Sequence, residues 1–213
     1  ISYNSANAAK IIGNTFRGCS KALYFWGFGA HSIKLNNFIG NTLAVDNYLG
    51  VQNIDYVEYN YFGSSDGPGG TYGPGSGDPI DLGSALFTPF LTATAEDSAP
   101  SSITSLKVFA DEGFTEQLPN DGNIGLLENL YIRALGGDSS AETINWATAT
   151  VSSDADPSGI TVELIETGKS TGTFEGFVRI ATLSDDTYDY IKVNNKNEKV
   201  YVSATNGNYA RVS

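Results

Sequence analysis

The sequence has no methionine, one cysteine and one histidine in 213 residues, and each scarcity removes a class of chemistry. Cys19 alone cannot form an internal disulfide, and no CxxC pair exists for redox or zinc work. With His31 the only histidine, a typical zinc site cannot be assembled, nor a Cys–His nucleophile with a clear third partner. Cys19 is therefore expected to be structural, and His31 an ordinary turn or surface residue. Charge is sparse as well, at 17% of residues, with 12 basic side chains against 24 acidic and a net charge of −12. Most of that excess follows Gly63, and an acidic surface repels phosphates, so no nucleic acid is expected as a partner. No apolar run is long enough for membrane insertion, and no signal peptide is visible. Phosphate-binding glycine loops and nucleophile elbows are missing too. The chain begins with isoleucine and reads as a processed product or an excised fragment.

Glycine, serine, threonine and asparagine are plentiful, and no stretch keeps a 3.6-residue apolar period. Together these predict an all-β fold. The first third contains a repeat. Ile11-Ile12-Gly13-Asn14-Thr15-Phe16 aligns with Ile33-Lys34-Leu35-Asn36-Asn37-Phe38 and with Val57-Glu58-Tyr59-Asn60-Tyr61-Phe62, the asparagines stepping by 22 and then 24 residues. A period of this length signals a solenoid. Ile11, Ile33 and Val57 should form one inward column and Phe16, Phe38 and Phe62 another. Asn14, Asn36 and Asn60 should sit at a bend, where asparagine tolerates left-handed backbone and stacked amides can bond along the ladder. Gly67 to Gly77 is too rich in glycine and proline for regular structure. Leu86 to Leu91 is expected to close the core, and residues 92–102 read as a linker.

From about Ile103 to the end, apolar residues alternate with polar ones. The alternating sets are Leu106, Val108, Ala110; Leu130, Ile132, Ala134; Ile160, Val162, Leu164; Phe174, Val178, Ile180; and Val200, Val202, Ala204. Turn signals divide them at Asp121-Gly122, Gly136-Gly137-Asp138, Asp156-Pro157-Ser158-Gly159 and Asn206-Gly207. About seven short strands in a stretch of this length read as an Ig-like β-sandwich.

The motifs IIGNTF, IKLNNF and VEYNYF resemble the right-handed parallel β-helix repeats of pectate-lyase-like and NosD-like surface proteins. The segment ITVELIETGKSTGTFEGFVRI resembles a motif of β-sandwich modules in bacterial and archaeal S-layer-like proteins, through Glu166, Thr167, Gly168, Thr171, Gly172, Phe174 and Gly176. The resemblance implies terminal β-helix rungs over residues 1–91 and an Ig-like sandwich over 103–213. It also implies an extracellular or cell-surface location and a structural or adhesive role, with the sandwich as spacer or assembly module. Because nothing caps the first rung, its edge should meet either upstream rungs of the same protein or a neighbouring subunit.

The alternative is a carbohydrate-active enzyme, a polysaccharide lyase or hydrolase, with an accessory sandwich. Lys10, Arg17, Lys21, His31, Lys34 and Asp46 are the candidate groups, yet they are scattered, and ordinary glycoside hydrolysis needs paired carboxylates. No catalytic residue is assigned. In the run Tyr24-Phe25-Trp26-Gly27-Phe28 some rings must face outward. Tyr24 and Trp26 are candidates for stacking on a polysaccharide, with packing against protein the competing account. Calcium is the one cofactor considered, at Asp138, Asp154 and Asp156. Further Asp-rich turns lie at Asp185, Asp186, Asp189 and at Asp66, Asp78, Asp81. None has EF-hand spacing, and turn-forming aspartate is the competing account.

Overall fold

The computed structural model describes residues 2–3, 9–26, 31–47, 54–82, 86–97, 103–137, 140–204 and 209–212. It divides into two compact units, Ile1–Glu96 and Asp97–Ser213. The described residues contain no helix.

The first unit carries β1 (Ser2–Tyr3), β2 (Ala9–Ile12), β3 (Thr15–Arg17), β4 (Leu23–Phe25), β5 (His31–Lys34), β6 (Asn37–Ile39), β7 (Val45–Asn47), β8 (Ile54–Tyr56), β9 (Pro68–Gly69), β10 (Gly77–Asp81) and β11 (Ala95–Asp97). Strands β1 to β10 form three small parallel sheets, in the orders β1-β4-β7-β10-β9, β2-β5-β8 and β3-β6. Apart from β9 with β10, which pair within the glycine-rich stretch, each pairing joins strands of successive turns of the chain. Ile11 lies opposite Ile33, and Phe16 opposite Phe38. Equivalent side chains therefore pile up. The rings of Phe16 and Phe38 stack at 5.3 Å and those of Phe38 and Phe62 at 5.5 Å. Ile33, Val57, Phe38 and Phe62 are fully buried in one core with Leu23, Phe25, Val45 and Ile80. The expected columns are present.

The asparagines form a ladder. Asn36 Oδ1 accepts from the Asn14 backbone N–H at 3.0 Å and from Asn14 Nδ2 at 3.1 Å. Asn60 Oδ1 accepts from the same two groups of Asn36, both at 3.0 Å. Each buried amide nitrogen also donates to main chain: Asn36 Nδ2 to Ile11 and Lys34, Asn60 Nδ2 to Ile33, Val57 and Glu58. A buried amide so satisfied joins repeats instead of destabilising them. The left-handed backbone falls one residue earlier than expected, at Gly13, Leu35 and Tyr59, with φ of 70°, 58° and 55°. That residue turns the chain and leaves the following asparagine free to enter the stack.

A second polar column lies beside it. Asn41 Oδ1 accepts the Cys19 N–H at 2.9 Å, and Asn41 Nδ2 donates to the Phe16 carbonyl at 3.0 Å. Buried Asp78 closes this column from the other side, accepting from Gly40 N, Asn41 N and Asn41 Nδ2 at 2.9, 2.8 and 2.6 Å. Cys19 thus stands at the position that Asn41 takes in the next repeat, a structural role.

The glycine-rich stretch differs from expectation. Pro68–Gly69 forms a two-residue strand parallel to β10. A Cβ on Gly77 would collide with the Phe62 carbonyl, and one on Gly67 would lie 2.7 Å from the Phe90 ring. Composition alone suggests looseness, but here the absent side chains allow backbone to pack directly on backbone. Leu86 to Leu91 runs beside the last repeat: Val57 N donates to Leu86 O at 3.0 Å and Leu91 N to Asn60 O at 3.0 Å. Ala95 exchanges two hydrogen bonds with the Asn37 side chain, at 2.7 and 2.9 Å.

The second unit holds β12 (Ile103–Phe109), β13 (Gln117–Leu118), β14 (Asn129–Gly136), β15 (Ile144–Ser153), β16 (Ile160–Glu166), β17 (Thr173–Ala181), β18 (Tyr190–Lys192), β19 (Val200–Ala204) and β20 (Tyr209–Val212). The order β13-β12-β14-β17-β16-β15-β19-β20 is antiparallel throughout, and β18 joins β17 in parallel. The inward residues follow the predicted alternation. Leu130, Ile132, Ala134, Val162, Leu164, Phe174, Val178 and Val202 share one buried core. The strand β15 has no counterpart in the sequence reading, because Ala147 and Ala149 give little hydropathy contrast with their threonine neighbours.

The junction of β16 and β17 bends the sheet. Only Ile165↔Glu175 and Glu166↔Phe174 pair across it; away from the corner β16 pairs with β15, and β17 with β14 and then β18. Buried Glu166 organises this corner. Its Oε1 accepts from Thr171 N at 2.7 Å, Gly172 N at 2.9 Å and Thr171 Oγ1 at 3.2 Å, and its Oε2 from Asn145 N at 3.2 Å. Gly172 has φ of 59°, and a Cβ there would lie 2.5 Å from the Gly136 carbonyl. The ETGxxTGxF residues are thereby explained by the turn they build.

Candidate functional site

Leu23 and Phe25 enter the first core, so Tyr24 between them faces outward; the same alternation turns out Asp46, between Val45 and Asn47, and Asp81, between Ile80 and Leu82. Register aligns the three, Tyr24 with Asp46 and Asp46 with Asp81, on adjacent parallel strands about 4.8 Å apart. Lys21 joins the column: its Nζ is 2.5 Å from Asp46 Oδ2 and 4.6 Å above the Tyr24 ring. Asp46 is only 4% exposed, while Trp26, two residues beyond Tyr24, is 47% exposed. A phenol, a lysine and two carboxylates in one column, with an exposed indole just past the end of β4, can offer stacking and hydrogen-bonding groups to a hydroxylated ligand. Tyr24, Trp26, Lys21 and Asp46 are sequence candidates that the fold brings together. Asp81 enters only through the register, since the Gly/Pro-rich loop hides its equivalence to Asp46. Phe25 faces inward, and Gly27 and Phe28 lie outside the described residues.

The other enzymatic candidates do not join this group. His31 is buried and packs its ring 4.9 Å from Phe25, which corrects the expectation of a turn or surface histidine. Its strand position, opposite Ala9, turns the imidazole into the core. Lys10 and Lys34 lie on the β2-β5-β8 sheet, and exposed Arg17 ends β3. Near Lys34, burial pushes the Glu58 carboxyl above its ordinary range, and the lysine offsets part of that rise.

The calcium candidates are engaged by the chain itself. Asp154 Oδ2 accepts from Lys199 N at 3.0 Å and its Oδ1 from the Tyr201 hydroxyl at 3.1 Å. Asp156 Oδ1 accepts from the Ser158 hydroxyl and from Gly159 N, and the hydroxyls of Ser158 and then Ser184 hold its carboxyl below the ordinary range. Asp138 lies outside the described residues. Asp185 binds Thr187 N at 2.9 Å, Asp186 binds Thr161 N at 3.0 Å, and Asp66 binds the Ser76 N–H and hydroxyl at 3.0 Å each. Among the described residues no group of three histidine, cysteine, aspartate or glutamate side chains is placed to hold a metal ion. The described aspartates match turn acceptors better than a calcium shell.

These observations define an all-β protein whose short parallel sheets precede a mixed, mostly antiparallel sheet. No family model matches the chain, and no curated protein is significantly similar to it. Among the described residues no helix is long and apolar enough to cross a membrane.

Proposed function

We propose that the chain is a non-enzymatic structural or adhesive component of a secreted or cell-surface protein. In this reading the first unit comprises closing rungs of a right-handed parallel β-helix of the pectate-lyase-like or NosD-like type. The second is an Ig-like sandwich of the S-layer-like kind, serving as spacer or assembly module, and its partners are neighbouring subunits or further rungs. One observation carries the reading: the most conspicuous motif residues of both units hold backbone. Asn36, Asn60 and Asn41 join successive repeats, and Glu166 ties the corner between the halves of the second sheet. The test incubates the full chain with pectate, xylan and chitin and measures new reducing ends and unsaturated products. No release above a heat-denatured control is expected. Turnover that disappears in Asp46→Asn or Asp81→Asn would replace this reading with a carbohydrate-active enzyme. Limited proteolysis of intact source cells tests the surface location, with cleavage of the chain in unbroken cells as the expected result.

A second reading is favoured by the outward column. Tyr24, Asp46, Asp81 and Lys21 beside exposed Trp26 form a face suited to a polysaccharide. Glycan-array retention that is lost in Trp26→Ala would support it, and retention unchanged in that variant would place the contact elsewhere.

A further inference from the structure

The second unit contains a cleft of about 420 Å³ between the segment 123–126 and the segment 193–198. Its floor is formed by half-buried Ile124 and Val193, which pack against the hydrophobic core; Ile180 and Val200, which also line it, belong to that core and are almost fully buried. Its rim is built from carboxamides, Asn123, Asn194, Asn195 and Asn197, which are all exposed. We infer that this cleft binds an extended peptide segment, taking one aliphatic side chain onto the floor while the asparagines bond the flanking peptide groups. The inference stands apart from the surface-protein reading, because a peptide-binding cleft serves an intracellular protein equally well.

Three features support a prepared site. Both walls are held by carboxylates. Glu128 accepts the Gly125 N–H at 2.8 Å on one side, and on the other Glu198 accepts Asn194 N at 2.9 Å and Asn195 Nδ2 at 3.0 Å. Preset walls lower the ordering entropy that binding would otherwise cost. Next, Leu126 on the lip and Leu127 beside it are 54% and 59% exposed, and Leu127 adopts φ of 68°, a left-handed conformation unusual for a leucine. Strain of this kind concentrates where chains meet ligands. Finally, the lining chemistry selects the ligand. Among the described residues the lining has no aromatic ring on which a sugar could stack, and Lys196 and Glu198 offset one another, so a neutral ligand is preferred. A carboxamide carries N–H donors and an acceptor oxygen, the complement of a peptide C=O and N–H, and Asn195 keeps its oxygen and one N–H beside the bond to Glu198. The volume falls within the range typical of ligand clefts, with an apolar base and a few convergent polar groups.

The test records amide chemical shifts of the full chain by NMR during titration with the blocked peptide N-acetyl-Ala-Leu-Ala-amide. Parallel titrations use N-acetyl-Ala-Ala-Ala-amide and N,N′-diacetylchitobiose. Saturable shifts confined to residues 123–127 and 193–198 are expected, with the leucine peptide binding at least about tenfold tighter than the alanine peptide. Asn195→Ala and Asn123→Ala should each weaken binding severalfold while leaving the dispersed spectrum intact, so loss of binding is separable from loss of fold. Absence of saturable shifts at millimolar peptide, equal affinity for both peptides, or shifts produced by the disaccharide alone would overturn the assignment.

Discussion

The two units solve the same problem, burying apolar strand faces, with opposite pairing rules. In the first, like stacks on like: asparagine on asparagine, phenylalanine on phenylalanine, one repeat apart. In the second, the antiparallel partners follow no repeat, and the stabilising device is local, one glutamate gathering four hydrogen bonds at a corner. A parallel stack has no tight turn to define register, so side-chain ladders define it. An antiparallel sheet has hairpin turns, and its critical residues concentrate in them.

That contrast can be broken by substitution. The largest effect is expected from Phe38→Ala in the centre of the phenyl column, about 4 kcal/mol, against about 1–2 kcal/mol for half-buried Phe16→Ala. Hydrogen-exchange mass spectrometry, read separately over each unit, should show both losses confined to the first. Asn36→Leu follows at about 3 kcal/mol, because backbone groups of neighbouring repeats lose their partners in a buried setting. An equal loss for exposed Asn14→Leu would contradict the ladder account. Glu166→Gln should cost about 2 kcal/mol in the second unit alone, since a neutral amide is a weaker acceptor for four donors and brings surplus N–H groups.

Two carboxyls should oppose each other in pH dependence. The Glu116 N–H, and further donors from Thr115, hold Asp111 below the ordinary carboxylate range against a smaller opposing effect of burial. Its contribution is therefore present above that range and is lost as pH falls through the lowered value. Glu58 is shifted upward by burial, so its contribution is full below the ordinary range and is lost as pH rises through the raised value. Unfolding midpoints measured against pH should show a weaker acid-side decline of the second unit in Asp111→Asn, with Asp156 keeping part of it. They should lose the higher-pH decline of the first unit in Glu58→Gln. The smallest effect is Trp26→Ala, within about 0.5 kcal/mol for a side chain so exposed.

Much of this architecture is legible in the residues. Ile11, Ile33 and Val57 recur at a period that only stacked repeats explain, and the inward positions of β14, β16, β17 and β19 follow from simple alternation. The outward column is half legible. Tyr24 and Trp26 stand out as aromatics, but Asp81 follows a Gly/Pro-rich loop that carries no repeat to mark its equivalence to Asp46. Their alignment appears only when strands pair. The same loop conceals Asp78 as the partner of Asn41, 37 residues earlier. Histidine 31 misleads for a different reason: its neighbours Gly29 and Ala30 suggest a turn, whereas its ring completes the core against Phe25.

By itself the sequence determined the all-β class, the repeat and its stacking columns, and the strand alternation of the second unit, because periodicity is a local property that each side chain carries with it. Tertiary structure alone decided which carboxylates meet, where left-handed backbone falls, and that a glycine-rich stretch is packed instead of loose. Those outcomes depend on which distant backbone atoms come within hydrogen-bonding or van der Waals reach, and no local pattern encodes that distance.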